Sequence, residues 1–414
     1  MKAFLDKLIQ AGKDAGLEAC EAFLTQRESF SVMTAEGEIL EYKSNATRGL
    51  GFRGVKNGKM GYAGTEAFDD EAIAQLVKGV VESAELCEDT SPVFLYDGKG
   101  EAPQIDLSNP VLNEIAPQDK IDRVLAMEKV VKAYDPRVDK STDNTLRTTH
   151  GSVRIVNSYG MDRSYTMDVC SMFGMASAKE GERVSTGYYG AMGRSMTKLD
   201  AKRIGTEAAK RAVEGLSAEA IPSGKYRVVI ANEAMVDLLE TFCGIFSAEV
   251  AQKGLSLLSG RVGEQIAAPC VTLVDDPLME DGMASRPFDD EGVPSAKHTL
   301  VENGVFRTFL HNLKTAHKDG VETTGNAGKA SYDAPVRVEP SNLYLAAGKR
   351  AFDEMLESIG EGVVITGVSG LHAGANAVSG DFSLLSKGYT FKNGKREKSV
   401  EQITLAGNFY ELLR

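Results

Sequence analysis

The chain has 414 residues, with 47 Lys and Arg against 59 Asp and Glu, a formal net charge of -12 and a pI near 5.1. Hydrophobic residues at 42% and charged residues at 26% are ordinary globular proportions, which excludes wholesale disorder and suits two or three domains. The acidic balance, without a block of Lys and Arg, disfavours a surface for nucleic acid.

Nothing in the composition indicates export or a membrane span. No apolar run reaches the length of about 18 residues that a transmembrane helix needs. The first residues carry Lys2, Asp6 and Lys7, which interrupt the apolar core that a secretory signal requires. The five cysteines are widely spaced and form no C-x-x-C, as is typical of reduced thiols. We therefore expect a cytoplasmic protein.

The first predicted unit has a helix at each end and strands between them. Apolar residues repeat at helical spacing over 1–16 and from about Asp70 to Leu86. Arg48–Thr65 places β-prone arms on either side of Asn57-Gly58, which predicts a hairpin because both turn positions need positive φ. Strand-like runs precede it at Glu21–Leu24, Ser29–Thr34 and Gly37–Tyr42.

The second predicted unit follows a proline-bearing stretch over 88–119 that has no periodicity and predicts a linker. Helical patterns near 121–131 and Leu199–Leu216 bound this unit. Strand-like runs lie between them at Thr145–His150, Ser152–Asn157, Arg163–Ala176 and Arg183–Met192.

The third predicted unit starts after Ile221–Gly224 and is mainly β. It opens with an extended run at Tyr226–Ala231 and a helix from Ala234 to about Ala251, and it has a short helix at Phe352–Ile359. Asn303-Gly304 and Asn393-Gly394 predict two more hairpin turns. The predicted strands are Cys270–Asp275, His298–Val301, Val305–Leu310, Leu343–Ala346, Gly362–Val368, Gly388–Lys392 and Gln402–Ala406.

Hairpin signals outnumber alternating βαβ patterns, so the predicted fold class is α+β, a large, mostly antiparallel β-sheet architecture with peripheral helices. We predict three domains. They are an N-terminal α+β domain at 1–95, a middle α+β domain at 96–219 and a C-terminal β-rich domain at 220–414.

Short catalytic patterns in the chain carry little weight. Gly49–Gly54 matches G-x-G-x-x-G, but it lies in the predicted hairpin and not before a helix that could hold a phosphate, so we interpret it as a glycine-rich strand. Ser195–Lys198 matches S-x-x-K without the motifs that accompany it in known enzymes. The acidic groups near Asp275, Glu280 and Asp289 lack EF-hand spacing and favour turns.

The histidines also lack a metal-binding pattern. No H-E-x-x-H occurs, and His311 and His317 do not have the i, i+4 spacing of zinc ligands on a helix. From the residues alone we predict no metal site and no catalytic residue in this chain.

The C-terminal glycine-rich stretch is the most informative part of the sequence. It reads GVSGLHAGAN over Gly367–Asn376 and SGDFS over Ser379–Ser383. So many glycines predict a close approach of the backbone to another strand, a peptide or a partner chain, and packing alone explains them equally well. The candidate substrate-binding residues in this stretch are His372, Asn376, Asp381 and Phe382.

Further blocks of the same kind lie along the chain. They are the Arg48–Thr65 hairpin, GLSLLSGRVGE at Gly254–Glu264, DDEGVP at Asp289–Pro294, TGN at Thr324–Asn326, GYTFKNGK at Gly388–Lys395 and ITLAGN at Ile403–Asn408. In this order, the blocks resemble those of the PmbA/TldD family, and more closely its PmbA branch, also called TldE. The resemblance implies a cytosolic zinc-dependent peptidase system that acts on peptides and unfolded segments, whose members were first described as modulators of DNA gyrase.

The metal ligands of that family do not carry over to this sequence. TldD chains hold zinc with an H-E-x-x-x-H helix before the S-G-R-[IV]-G block and with a cysteine in a C-terminal extension. Here Glu240 aligns with the motif glutamate, while Leu239 and Gly244 occupy the histidine positions. The sequence stops at Arg414, so we expect the extension to be missing as well.

The resemblance therefore implies a metal-free subunit of a TldD/PmbA-type metallopeptidase, with the zinc held by a TldD-like partner chain. We expect this chain to help form the substrate cavity, to pair with the paralogue or with itself, and to capture extended peptides at an exposed sheet edge. Three alternatives stay open. They are an independent metallopeptidase with unrecognised ligands such as His298 or His372, a gyrase-associated regulator that binds protein or DNA, and a peptide-binding module without a catalytic partner.

Overall fold

The computed structural model describes residues 1–89 and 91–414. The helices in these ranges are α1 (Lys2–Asp14), α2 (Asp70–Leu86), α3 (Val111–Glu114), α4 (Pro117–Ala133), α5 (Ala201–Gly215), α6 (Asn232–Phe242), α7 (Ala248–Gln252), α8 (Leu313–Asp319), α9 (Phe352–Ile359), α10 (Leu371–Gly374) and α11 (Phe409–Leu412). Two short 3₁₀ turns cover Met196–Lys198 and Cys243–Phe246.

The strands form one large sheet and three smaller ones, which confirms the predicted α+β class. They are β1 (Ala19–Ala35), β2 (Glu38–Lys56), β3 (Lys59–Thr65), β4 (Val138–Asn157), β5 (Asp162–Glu180), β6 (Arg183–Gly193), β7 (Val228–Ile230), β8 (Leu273–Asp275), β9 (His298–Glu302), β10 (Val305–Phe306), β11 (Ala327–Gly328), β12 (Arg337–Val338), β13 (Leu343–Leu345), β14 (Glu361–Ser369), β15 (Asp381–Lys392) and β16 (Lys395–Asn408).

The large sheet is antiparallel, with the order β3-β2-β1-β4-β5-β6. It joins strands from the first two predicted units, and the division into three domains stays a prediction. Its strands are longer than predicted because polar residues such as Gln26 and Glu28 continue β1 where they are exposed. A strand with a hydrogen-bonded neighbour on both sides does not need apolar residues throughout its length.

The two faces of β1 contact different parts of the molecule. Even-numbered residues such as Leu24 and Val32 face helices α1, α2 and α4 and form two hydrophobic clusters with them. Phe23 points to the opposite face and packs against Phe288 and Tyr332 of the C-terminal third. The large sheet is therefore covered by helices on one face and, around Phe23, by loops of the C-terminal third on the other.

The three predicted hairpin turns are confirmed. Asn57 and Gly58 have φ values of 51° and 71°, and the Asn303-Gly304 and Asn393-Gly394 pairs have the same left-handed geometry. Helix α2 and helix α9 begin and end where the sequence predicted.

The helix predicted from Ala234 to Ala251 was wrong. Helix α6 ends at Phe242, a 3₁₀ turn follows, and α7 begins at Ala248. Gly244 is a weak helix former, and Phe242, Ile245 and Phe246 are all buried, so the chain turns to place each of them in the core. The strand predicted over Val305–Leu310 was also too long, since β10 contains only two residues.

The glycine pattern at Gly49–Gly54 is explained by packing. It lies within β2, which confirms the interpretation as a glycine-rich strand. A Cβ on Gly49 would overlap the ring of Tyr332, and a Cβ on Gly51 would overlap the carbonyl oxygen of Tyr332. The absence of side chains at these positions lets the Tyr332 segment lie flat on the sheet.

Buried charged side chains also lie where the large sheet contacts the C-terminal third. The Arg53 guanidinium donates from Nε to Glu21 Oε1 at 2.8 Å, and its Nη1 lies 3.5 Å from Glu291 Oε1. All three side chains are at most 5% exposed. Lys329 places its ammonium 4.1 Å from the centre of the Phe23 ring.

The half-buried Lys329, whose ammonium lies against the Phe23 ring, predicts a pH-dependent stability. Burial, followed by the nearby Arg53 charge, lowers the pKa of Lys329 to about 8, against about 10.4 in an unfolded chain. The folded state then binds this proton less tightly than the unfolded state, so the free energy of unfolding rises as the pH increases from about 8 to about 10.

Chemical denaturation of wild type and Lys329→Met from about pH 7 to pH 10 measures this effect. The variant should be more stable than wild type near pH 7, and the difference should shrink by about 1 kcal/mol or more by pH 10. Parallel pH curves for the two proteins would contradict a lowered pKa of Lys329 in the folded state.

Candidate functional site

Helix α6 lies where the family resemblance places the metal-binding helix. Its last residue, Phe242, is fully buried and stacks on Phe409, with ring centres 4.7 Å apart. The Phe382 ring also packs against Phe242, with ring centres 6.1 Å apart. The C-terminal blocks of the sequence therefore hold the end of α6 in place.

Two of the predicted site residues belong to one turn network. Asn376 Oδ1 accepts from the backbone N–H groups of Val378 and Ser379, at 2.9 and 3.1 Å. Asp381 accepts from Asn408 Nδ2 and from the Ser379 hydroxyl, both at 2.8 Å. These two bonds, with Asn408 the stronger cause, lower the pKa of Asp381.

The other two predicted residues differ from each other in exposure. His372 is exposed on the short helix α10, while Phe382 is buried against α6. A direct contact of His372, Asn376, Asp381 or Phe382 with substrate stays a prediction. What the structure adds is a local role for three of them: Asn376 and Asp381 fix a turn, and Phe382 anchors a helix.

The residues around α6 do not fit a zinc ion. Leu239 is buried, Glu240 is exposed, and Gly244 lies in the 3₁₀ turn after the helix. Zinc in proteins is bound by Cys, His, Asp or Glu, commonly four ligands in a tetrahedron. Over 1–89 and 91–414, no group of three or more such side chains is placed to hold a metal ion.

His298 forms a hydrogen bond with the backbone. Its Nε2 lies 2.9 Å from the carbonyl oxygen of Thr324, so this nitrogen carries a proton and donates it. Burial lowers the pKa of His298, which keeps the ring neutral at pH 7. The neighbouring Asp275 carboxylate already accepts from Asn326 Nδ2 and from the Ser341 N–H, at 2.7 and 2.6 Å.

The remaining motifs form turns and surface ion pairs. Ser195 Oγ accepts from the Thr197 N–H, and Lys198 Nζ bonds to Asp281 at 3.0 Å, so the pair does not act as nucleophile and base. Asp289 Oδ1 accepts from the N–H groups of Glu291 and Val293, both at 2.9 Å, which confirms the turn predicted there.

An apolar groove of about 660 Å³ runs beside α6. Met235, Val236 and Leu239 of α6 form one wall, and Met355 of α9 contributes to another. Residues of β7 and β13 complete the lining. Sequence patterns did not reveal this groove, since its walls come from segments more than a hundred residues apart that only the tertiary fold brings together.

A second cleft, of about 230 Å³, separates α5 and β6 from the sheet that contains β16. Two of the arginines that line it form ion pairs. Arg211 forms two 2.8 Å bonds with Glu233, and Arg396 bonds to Glu214 at 2.9 Å while it stacks on Tyr389. This cleft is a polar contact between the middle and C-terminal thirds.

Comparison with known proteins assigns the family. Residues 223–414 match the C-terminal domain, 110–216 the central domain and 20–84 domain 1 of the PmbA/TldA metallopeptidases. A crystal structure of a candidate modulator of a DNA gyrase from Thermotoga maritima is 34% identical, covers 100% of this chain and 93% of its own, and has a TM-score of 0.93. The chain belongs to the PmbA/TldD metallopeptidase family.

Other PmbA/TldD relatives cover similar lengths. Metalloprotease PmbA of Escherichia coli O157:H7 is 26% identical over 98% of this chain and 87% of its own. TldE of Thermococcus kodakarensis shares the fold, with a TM-score of 0.89, 23% identity, and coverage of 99% of this chain and 92% of its own.

One organism has relatives of both branches. In Haemophilus influenzae, the TldD homolog is 27% identical over 94% of this chain and 82% of its own. The PmbA homolog of that organism is 25% identical over 98% of this chain and 88% of its own. As for membranes, the helices in the described part of this PmbA/TldD chain are all too short or too polar to cross one.

Proposed function

We propose that this chain is a metal-free subunit of a PmbA/TldD-type peptidase, which contributes substrate binding and assembly while a TldD-like partner holds the zinc. The observation that carries the proposal is the composition of α6 and of the 3₁₀ turn that follows it. The family is one of metallopeptidases, yet the family resemblance places Leu239 and Gly244 where its zinc-binding histidines would lie, and neither side chain can bind a metal. A lone exposed carboxylate at Glu240 cannot activate water as a bound zinc ion does.

A division of labour between two chains is supported by the relatives. Haemophilus influenzae has both a PmbA homolog and a TldD homolog, and both align with nearly the whole of this chain. Two paralogues with one fold can meet through related surfaces, because a surface that fits one copy often fits the other. The substrates we propose are peptides and unfolded segments.

The proposal is tested by mixing purified chains. We expect this chain alone to bind substoichiometric zinc and to cleave no peptide, and we expect a mixture with a TldD-like chain to show peptidase activity that neither chain shows alone. Metal analysis of the pure chain and a quenched fluorescent peptide substrate supply the two measurements.

The matched control exchanges the same residue type in the two chains. A Glu→Gln change in the H-E-x-x-x-H motif of the TldD-like chain should abolish the activity of the mixture, whereas Glu240→Gln in this chain should leave it unchanged. Stoichiometric zinc together with activity from this chain alone would favour the independent peptidase. Full activity from the TldD-like chain alone would remove the need for this subunit.

A regulator associated with gyrase belongs to a different functional class. The formal net charge of -12 opposes DNA contact. A salt-sensitive mobility shift of duplex DNA at physiological ionic strength would support that regulator and contradict our proposal, while the absence of any shift is the expected result.

A further inference from the structure

A buried carboxylate in the C-terminal third has no cationic partner among the residues that the structure describes. Asp275, the last residue of β8, is 0% exposed. Its two oxygens accept from Asn326 Nδ2 at 2.7 Å and from the Ser341 N–H at 2.6 Å. The next residue, Asp276, pairs with Lys297 at 3.1 Å. Two neutral donors leave the charge of Asp275 uncompensated, and a buried charge is costly unless it is paired.

His298 does not supply the missing charge. It lies directly opposite Asp275 in the antiparallel pair of β8 and β9. Its Nε2 donates to the Thr324 oxygen at 2.9 Å instead. Among the described histidines, His150 forms an ion pair, with Asp168, whereas His298 forms none with Asp275.

Two buried oxygens beside this carboxylate also lack partners. Asn326 is 1% exposed, and its Oδ1 has no hydrogen-bond partner within 1–89 and 91–414, nor has the buried hydroxyl of Ser341. The surroundings fix the orientation of the Asn326 amide, because its Nδ2 faces two acceptors, Asp275 Oδ2 and the Glu339 backbone oxygen. A reversed amide would place its oxygen against both of them. Buried polar atoms without partners are rare and need a physical explanation.

The three side chains meet at one place in the fold. Asn326 Oδ1 belongs to the same amide as the Nδ2 that bonds to Asp275, and Ser341 Oγ belongs to the residue whose N–H bonds to Asp275. Asp275 ends β8, Asn326 precedes β11 and Ser341 precedes β13, so three separate segments converge here. Together they offer one carboxylate and two neutral oxygens, which are hard ligands with a single negative charge.

Neither a proton nor a water molecule accounts for all three oxygens. A proton on Asp275 would neutralise the carboxylate, but it could bond to only one of the two remaining oxygens. A water molecule could bond to both of these oxygens, but it would leave the buried charge in place. A cation satisfies all three groups, because it balances the carboxylate and accepts lone pairs from the neutral oxygens.

We propose that Asp275, Asn326 Oδ1 and Ser341 Oγ bind a monovalent alkali-metal cation, Na⁺ or K⁺. One positive charge balances one carboxylate, whereas a divalent ion would leave an excess charge in the buried site. The ion joins the end of β8 to the segments before β11 and β13, and it gives Asn326 of the Thr324–Asn326 block a binding role. Oxygen ligands of this kind do not select zinc, so the expectation of substoichiometric zinc is unchanged.

The first test measures thermal unfolding of the full chain in KCl, in NaCl and in choline chloride at equal ionic strength. Choline is too large to enter the site. An ion that binds the folded state alone raises the unfolding midpoint, and the rise grows with the ion concentration. We expect at least one alkali chloride to raise the midpoint by about 2 °C or more over choline chloride. Equal midpoints in all three salts would overturn the proposal.

The second test removes the charge. Asp275→Asn should abolish the difference between alkali and choline salts, because the site loses its only carboxylate. Asp276→Asn is the matched control, since it removes the neighbouring carboxylate, which pairs with Lys297, and it should keep the difference. An Asp275→Asn protein with the full cation dependence of wild type would contradict the site, as would an equal loss of cation dependence in both variants.

A milder variant covers the case in which Asp275→Asn does not fold. Ser341→Ala removes one hydroxyl that has no hydrogen-bond partner in the described part of the chain. It should fold, and the rise of its midpoint in the alkali salt should be smaller than that of wild type. An unchanged rise would show that the Ser341 hydroxyl does not bind the ion and would overturn the proposed ligand set. These measurements use this chain alone, so their outcome does not depend on the mixing assay.

Discussion

Gly51→Ala is expected to lower the free energy of unfolding by about 3 kcal/mol, at the upper end of the cost of overpacking. The added Cβ would overlap the carbonyl oxygen of Tyr332, which belongs to the backbone and cannot rotate away. Either the Tyr332 segment must shift away from the large sheet or β2 must distort. Denaturant unfolding of the variant and of wild type measures the loss.

Two further alanine substitutions serve as comparisons for the stability loss of Gly51→Ala. Gly49→Ala meets the ring of Tyr332, which can rotate, so its cost should be smaller than that of Gly51→Ala. Gly348→Ala meets nothing within 4 Å and has no positive φ, so its effect should stay within about 0.5 kcal/mol. Equal stabilities of the Gly51 and Gly348 variants would show that the Tyr332 segment does not lie tightly on the sheet.

Local sequence patterns predicted the elements whose causes are local. The Asn57-Gly58 turn follows from the need for positive φ, and α2 follows from apolar spacing and from Asp69, whose side chain accepts from the Ala72 N–H as an N-cap. The helix predicted through Gly244 was wrong because the spacing of apolar residues does not reveal where a buried segment bends.

The candidate site depended more strongly on tertiary structure. The family blocks led to the C-terminal stretch, and Phe382 does lie against α6. The groove itself needs β7 to be a terminal strand beside β14, a parallel pairing of segments far apart in the chain. Nothing in the three residues of β7 indicates which of its edges will stay free.

Arg53→Met is expected to cost about 3 to 5 kcal/mol of unfolding free energy, because it removes the only cation that bonds to both Glu21 and Glu291 among the residues the structure describes. Two buried carboxylates would then remain side by side without their counterion. Surface pairs behave differently, so Lys7→Met, which breaks the exposed Lys7–Asp70 pair, should change stability by less than about 1 kcal/mol.

The pH dependence of the unfolding free energy of Arg53→Met distinguishes the loss of the charge from the loss of packing. Burial already raises the pKa of Glu291, with Arg53 opposing the rise, so removal of the guanidinium should raise it further. A carboxyl whose pKa is raised on folding stabilises the folded state when protonated, and this contribution is lost as the pH rises through its folded pKa. The loss of unfolding free energy in Arg53→Met, relative to wild type, should therefore shrink as the pH falls from neutral toward the unfolded glutamate pKa of about 4.3.

A double variant tests the same point at neutral pH. Arg53→Met combined with Glu291→Gln, which removes one of the two carboxylate charges, should recover part of the lost stability. A defect that is independent of pH and is not relieved by Glu291→Gln would show that Arg53 acts through its packing and not through its charge.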